Sequence, residues 1–315
     1  MIKALPNYLL IILISVGILP AQFDYGFEFT KAGSAGLQFL KIGIGARECA
    51  MGEAAIATVS DANAVFWNAA GLSAVEQMQV HFSYNQWLVN SRYDAAVVAY
   101  PWKNYIFALS IASLSIEEFE ETTVLQPQGT GRMVNAGDIL LGLAITKRFT
   151  NKLSIGGQIK FVQEKLDNYT MENILFDIGA LYYTGFHKLR LAFALQHFGP
   201  DMRPLNLNFR TPLLFRVAIA DDIVQQENLR IIGAAELVHP TDNVEWLNFG
   251  IETLFSDMIA LRAGYRYNRD EEGITLGGGI RLPRNDWLDF TLDYAWMPYG
   301  AIFSDVHRVS IGFGF

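Results

Sequence analysis

The last eight residues, Arg308-Val309-Ser310-Ile311-Gly312-Phe313-Gly314-Phe315, alternate without a break. Val309, Ile311, Phe313 and Phe315 fall on one side of an extended chain, and Arg308, Ser310, Gly312 and Gly314 on the other. The pattern recurs upstream. Leu189, Leu191, Phe193 and Leu195 interleave with Arg190, Ala192, Ala194 and Gln196. Ile259, Leu261, Ala263, Tyr265 and Tyr267 interleave with Ala260, Arg262, Gly264 and Arg266. Ile274, Leu276, Gly278, Ile280 and Leu282 interleave with Thr275, Gly277, Gly279 and Arg281.

Repeated along the chain, this period places strands near 77–89, 92–102, 104–115, 136–149, 152–166, 172–184, 188–199, 211–221, 228–239, 244–255, 258–268, 273–283, 287–297 and 306–315. About 14 strands of roughly 10 residues each suit a tilted membrane-crossing sheet. The expected fold is all-β: a transmembrane antiparallel β-barrel with a small N-terminal hatch or plug containing short helices. A soluble β-sandwich is the alternative. Long strands and aromatic-rich apolar faces weigh against it.

Connections of two lengths support the barrel. Short ones fall at 102–104, 150–152, 185–188, 222–227, 256–257 and 284–286. Longer ones fall at 116–135, 167–171, 200–210, 240–243, 269–272 and 298–305. Outer-membrane barrels have short periplasmic turns and longer outer loops. The expectation is therefore a bacterial outer-membrane protein with both chain termini periplasmic and its outer face in lipid.

Composition agrees. Of 315 residues 51% are hydrophobic and 13% aromatic, with only 10 prolines. The net charge is −8, and no basic run is present, so nucleic acid is not an expected partner. Residues 1–21 have the form of a signal peptide: Lys3, an apolar stretch over 8–19, then Pro20-Ala21. The single cysteine, Cys49, lies among alanines and glycines and is expected to be buried and inert.

Charges on the polar strand faces, including Arg216, Arg262, Arg266, Arg281, Asp289, Asp293 and Arg308, are expected in the lumen, since one on the lipid face costs ~2–4 kcal/mol. They either brace the barrel or line a route through it. Lys160, Asp177, Glu236 and Glu252 share that parity. Trp87, Trp102, Trp246, Trp287 and Trp296, near strand ends, are expected in the interfacial aromatic belt, with a ligand site as the alternative.

Residues 22–76 do not alternate and are too apolar for a free tail, so a hatch in or across the barrel is expected, followed by the barrel at 77–315. This stretch contains Phe39-Leu40, Gly45-Ala46-Arg47, Met51-Gly52, Ala57, Ser60-Asp61, Asn63 and Trp67-Asn68-Ala69-Ala70-Gly71-Leu72. It resembles the N-terminal signature of the PorV/PorQ family, which belongs with the FadL-like outer-membrane transporters. Family members usually have Asn-Pro-Ala after the tryptophan; here Ala69 replaces the proline. Later stretches, notably Gly179–Tyr182 and His197–Met202, also look like the family.

The resemblance implies a 14-stranded barrel with a hatch built on Arg47, Met51, Gly52, Asp61, Asn63, Trp67, Asn68, Ala70, Gly71 and Leu72. It implies protein secretion of the type IX kind, with the barrel handling secreted cargo proteins or secretion-system components. The alternatives are hatch-gated transport of hydrophobic small molecules and a structural barrel. It also implies that the terminal aromatics Phe313 and Phe315 are read by the barrel-assembly machinery. Trp67 and Asn68 are expected against the barrel wall, and Arg47 paired with a lumen carboxylate. No catalytic or metal motif is present, and neither an enzyme nor a cofactor is expected.

Overall fold

The computed structural model describes residues 33–203, 208–269, 272–285, 288–300 and 303–315. The signal-peptide expectation for 1–21 lies outside them. The strands are β1 (Gln79–Gln86), β2 (Arg92–Trp102), β3 (Tyr105–Ser115), β4 (Phe119–Glu120), β5 (Met133–Val134), β6 (Ala136–Arg148), β7 (Leu153–Leu166) and β8 (Tyr169–Tyr183). They continue with β9 (Arg190–Phe198), β10 (Leu214–Gln226), β11 (Leu229–Pro240), β12 (Trp246–Phe255), β13 (Ile259–Tyr267), β14 (Ile274–Asn285), β15 (Leu288–Met297) and β16 (Val306–Gly314).

All but β4 and β5 close into one 14-stranded antiparallel barrel. Each strand pairs with its sequence neighbours, and β1 pairs with β16 from Gln79↔Gly314 to Gln86↔His307. Closure leaves no strand edge to be satisfied by lipid. β4 and β5 form a separate hairpin inside the 116–135 connection.

Alternation sorts the two faces. Phe82, Leu109, Leu143, Ile159, Val217, Leu261 and Ile280 are exposed on the outer face. The intervening Lys160, Arg216, Glu236, Glu252, Arg262, Arg266 and Arg308 are buried within. An apolar outer face of this extent is stable against lipid and not against water.

Two spans depart from the expected boundaries. β10 runs on to Gln226, and the expected turn at 222–227 shrinks to 227–228. A register shift between Asp222 and Val224 puts one extra residue into the strand, which inverts the apolar-polar pattern and makes it look like a loop. The expected outer loop at 167–171 is a two-residue turn, because β7 and β8 pair as far as Leu166↔Tyr169. Asp167 turns the chain there at φ 55°, a left-handed conformation that aspartate tolerates.

Residues 35–75 lie inside the barrel. Their start is at the long-loop end. Ala35 bridges Arg210, Leu37 N donates to Glu164 Oε2 at 3.0 Å, and Lys41 Nζ reaches Asp242 at 2.7 Å. Their finish is at the short-turn end, where Arg148 donates to the Ser73 carbonyl before β1 begins. Both ends of the barrel, Gln79 and Gly314, lie at the short-turn end, and the first described residues lie at the opposite end, because this segment passes lengthwise through the lumen; the N-terminus itself is outside the described residues.

Candidate functional site: the filled lumen

The inner segment has little regular structure: single helical turns at Ala46–Ala50 and Ala64–Trp67, and 3-10 turns at Gln38–Lys41 and Ala69–Ala74. Turns this short are not stable by themselves. The barrel wall satisfies their polar groups.

Charge pairing is densest around Arg47. Its Nε and Nη2 donate to the two oxygens of Glu252 at 3.0 and 2.8 Å, a bidentate fork. Arg262 Nε donates to the same carboxylate at 2.7 Å, and its Nη1 to Asp293 at 2.6 Å. A second group centres on Glu236. It accepts from Arg216 Nε at 2.6 Å, Ala55 N at 2.9 Å and Ile56 N at 3.2 Å. Arg216 lies over the Trp67 ring at 4.9 Å. Arg266 joins Glu53 and Glu272, at 3.2 and 3.0 Å. Arg308 donates to the Gly43 carbonyl and lies over Trp87 at 5.1 Å.

The wall is also shaped to the segment. A Cβ on Gly250 would lie 2.5 Å from the Met51 carbonyl oxygen, one on Gly264 2.0 Å from Gly52 N, and one on Gly277 2.5 Å from the Ala50 Cβ. Gly52 itself turns at φ 64° and donates to Thr275 Oγ1 at 3.0 Å. Asn68 donates to the carbonyls of Ile56 and Ala180 and accepts from Ala70 N. A Cβ on Gly179 would lie 2.0 Å from its Oδ1. Glycine at these wall positions is what lets two backbones touch.

The expected site residues thus fall into groups. Arg47, Arg262, Asp293, Arg216 and Arg266 belong to the ion pairs, and Arg308 is buried between the Gly43 carbonyl and the Trp87 ring. Met51, Trp67, Ala70, Gly71 and Leu72 pack in the core, and Trp67 Nε1 donates to the Ile44 carbonyl at 2.7 Å. Asn63 is buried, and its N–H is held by Asp61 Oδ1 at 2.9 Å. Arg281 and Asp289 stand apart from the pairs. With Ser60, Asp61 and His81 they line a polar cavity of about 320 Å³ at the short-turn end. Phe315 is exposed at the end of β16, and Phe313 lies 5.6 Å from Phe290.

Sequence reasoning reads Gly277–Gly279 as a bend or a crowded spot inside a strand, and Gly277 is crowded by Ala50; it does not single out Gly250, Gly264, Glu53, Thr275 or Ser310. The aromatic-belt expectation also needs correction. Trp246 is 5% exposed and inward, and Trp87 packs on Tyr299 at 5.3 Å. Trp246 shares parity with Asn248 and Glu252 on β12, which sets its direction. Trp102 is exposed, as a belt residue would be.

A cavity of about 40 Å³ remains between segment and wall. Leu40, Ile42, Phe66 and Trp67 line it from the segment, and Tyr93, Leu140, Leu214 and Trp246 from the barrel. Lys160, Arg216 and His197 add polar groups. Lys160 is held by Asp177 at 2.7 Å and His197 at 2.6 Å.

Glu48 and Cys49 are fully buried in the inner segment, and Glu48 Oε1 lies 3.6 Å from Arg47 Nη1.

Comparison of the sequence with protein-family models and with curated proteins finds no match. Solved structures do match. The toluene transporter TbuX of Ralstonia pickettii superposes with a TM-score of 0.60 at 12% identity, over 86% of this chain and 97% of that one. The monoaromatic hydrocarbon channel CymD gives 0.60 at 13% identity, over 87% and 98%. The toluene transporter TodX of P. putida gives 0.59 at 12%, over 87% and 99%. The chain shares the fold of these transporters and channels.

Proposed function

We propose that this protein is an outer-membrane channel that passes hydrophobic small molecules, with residues 35–75 acting as its hatch. The short-turn end faces the periplasm and the long-loop end the exterior. The observation that carries this reading is the cavity shared between segment and wall. Its lining is split between the two, with apolar groups on both sides, so a shift of the segment enlarges it. The fold shared with toluene transporters and a monoaromatic hydrocarbon channel supports the substrate class. The secretion role implied by resemblance to PorV rests on the motif at residues 39–72 and the long connection at 116–135.

A tether tests it. Ser310 Oγ lies 2.8 Å from Ala46 N, so cysteines at both positions are within bridging reach. In a Cys49→Ala background, oxidised Ala46→Cys/Ser310→Cys protein in liposomes is expected to show no toluene flux above protein-free liposomes. Reduction restores it. Equal flux with the bridge confirmed by mass spectrometry would sink the hatch reading.

A further inference from the structure

The inner segment meets the wall in two different ways. Its second half packs by shape. The 3-10 turn Ala69–Ala74 lies against β6, β7 and β8, in a cluster with Ala108, Ala144, Leu181 and Ala192. Separating those surfaces would bare apolar groups to water. Its first half is held chiefly by polar contacts. The turn Ala46–Ala50 lies against β13, β14 and β15. Among the described residues, both ion pairs between residues 43–75 and the wall fall on this side: Arg47 with Glu252 and Glu53 with Arg266. The backbone N–H groups of Ala46, Gly52 and Ala55 donate to Ser310, Thr275 and Glu236.

The wall under this first half is a trough. Gly250 and Gly264 are register partners on β12 and β13, and Gly277 on β14 is partnered by Arg262. The nearest atoms to a Cβ on Gly250 or Gly264 all belong to Met51 and Gly52, so only the segment fills the space above them. Glu252, Arg262, Arg266 and Asp293 stand around these glycines. With residues 46–56 lifted, the trough is lined by charge and bare backbone. Water takes over such contacts at a modest net cost, because protein–protein hydrogen bonds exchange for protein–water ones. Seated, Arg266 Nε, Arg308 Nε and Asn248 Oδ1 have no hydrogen-bond partner among the described residues, and hydration of the trough supplies one.

Each end of the trough leads to a polar cavity. At the long-loop end, Glu272 meets Arg266 at 3.0 Å and lines a cavity of about 190 Å³ with Asn243, Asn268 and Arg269. At the short-turn end, β15 carries Asp293 beside the trough. Its next two inward positions, Thr291 and Asp289, line the cavity of about 320 Å³.

We propose that residues 46–56 gate an aqueous route along β12–β15 that passes water and small ions. Charges of both signs line it, so it excludes neither potassium nor chloride. The route is distinct from the cavity between segment and wall, whose lining meets these four strands only at Trp246. This activity goes beyond the transport of apolar molecules and shares with it only the moving segment.

Arg47→Ala/Glu53→Ala removes both ion pairs from the segment side and leaves the wall untouched. In planar bilayers bathed in potassium chloride, the native protein is expected to open briefly, and the double variant to spend about tenfold more time open. Arg47→Ala alone serves if the double variant does not fold. Thiol labelling locates the route. In a Cys49→Ala background, Thr275→Cys lies in the trough and Ala144→Cys in the apolar half. The charged, membrane-impermeant reagent 2-(trimethylammonium)ethyl methanethiosulfonate is expected to modify Thr275→Cys at least about tenfold faster than Ala144→Cys, and to cut the conductance in doing so. Ser310→Cys replaces Thr275→Cys if that variant does not fold. Absence of conductance above protein-free bilayers in the segment variants overturns the proposal. So does modification of Ala144→Cys as fast as Thr275→Cys. Conductance without toluene flux removes apolar transport and leaves this route standing. Toluene flux without conductance removes the route and leaves transport standing.

Discussion

Gly264→Leu expels the Met51–Gly52 turn from the lumen while the barrel stays closed. The new Cβ alone would lie 2.0 Å from Gly52 N and 2.3 Å from the Met51 carbonyl carbon. Both are backbone atoms, held by Gly52 N–H to Thr275 Oγ1 and by Thr275 Oγ1 to the Ala50 carbonyl. No rotamer change relieves that overlap, so the cost exceeds the ~1–3 kcal/mol of ordinary core overpacking. The barrel ladders are independent of this contact, since β12, β13 and β14 pair through their own backbones. The measurement is limited proteolysis of the membrane-embedded protein. Cleavage within residues 33–76 appears in the variant, while the heat-modifiable gel shift of a folded barrel persists. Gly157→Leu is the control. That glycine lies on the outer face, and its Cβ would meet only the Asp177 carbonyl oxygen at 3.6 Å. Undiminished protection in a folded Gly264→Leu protein would show that the wall does not seat the segment.

Glu252→Ala is expected to have the next largest effect. It leaves Arg47 and Arg262 facing a lumen from which their shared carboxylate is gone. Removing one partner of a buried pair typically costs ~3–5 kcal/mol, because the remaining charge is desolvated and unpaired. Arg262 keeps Asp293 at 2.6 Å, whereas Arg47 keeps only the looser contact with Glu48 at 3.6 Å, so the loss falls mainly on Arg47. Hydrogen exchange at Ala46–Ala57 is expected to rise by two to three orders of magnitude, at ~1.4 kcal/mol per decade. Liposome flux of a small apolar tracer rises with it. Arg47→Met removes the orphaned charge, so the double variant recovers much of the protection. Strictly additive effects in that cycle would mean the two residues do not act on each other.

The outer shape of this molecule was legible in its sequence because a strand buried on one side writes a period of two. β16, β13 and β9 could be read residue by residue. The pattern failed where one extra residue slips in, as at Asp222–Val224, since a single bulge exchanges the faces of everything after it. It failed also at Asp167-Asn168, a turn carried by a left-handed aspartate and not by glycine or proline.

The lumen was half legible. Parity assigned Arg216, Arg262, Glu252 and Arg308 to the inside. It carried no information on which of them meets which turn of a segment some 200 residues earlier in sequence, as Arg47 and Glu252 show. The wall glycines share that limitation. Gly250 and Gly264 have the parity of the inward charges, so their direction was available. That each is a gap left for another backbone emerges only when both surfaces are in place. Trp246 is the opposite case: its parity was available, and the habit of assigning terminal tryptophans to the lipid interface concealed it.

The inner segment enters at one mouth and leaves at the other, and the first and last strands are zipped together around it. The described residues are therefore a cord run through a ring, with the knot of the ring tied by the first and last strands of the barrel. Such an object has an order of assembly. The cord must be in place before β1 meets β16, or else be fed through a finished hoop end first. In the first order the β1–β16 seam is the last join to be made. A chain halted before it would be an open, curved sheet already holding its own stopper.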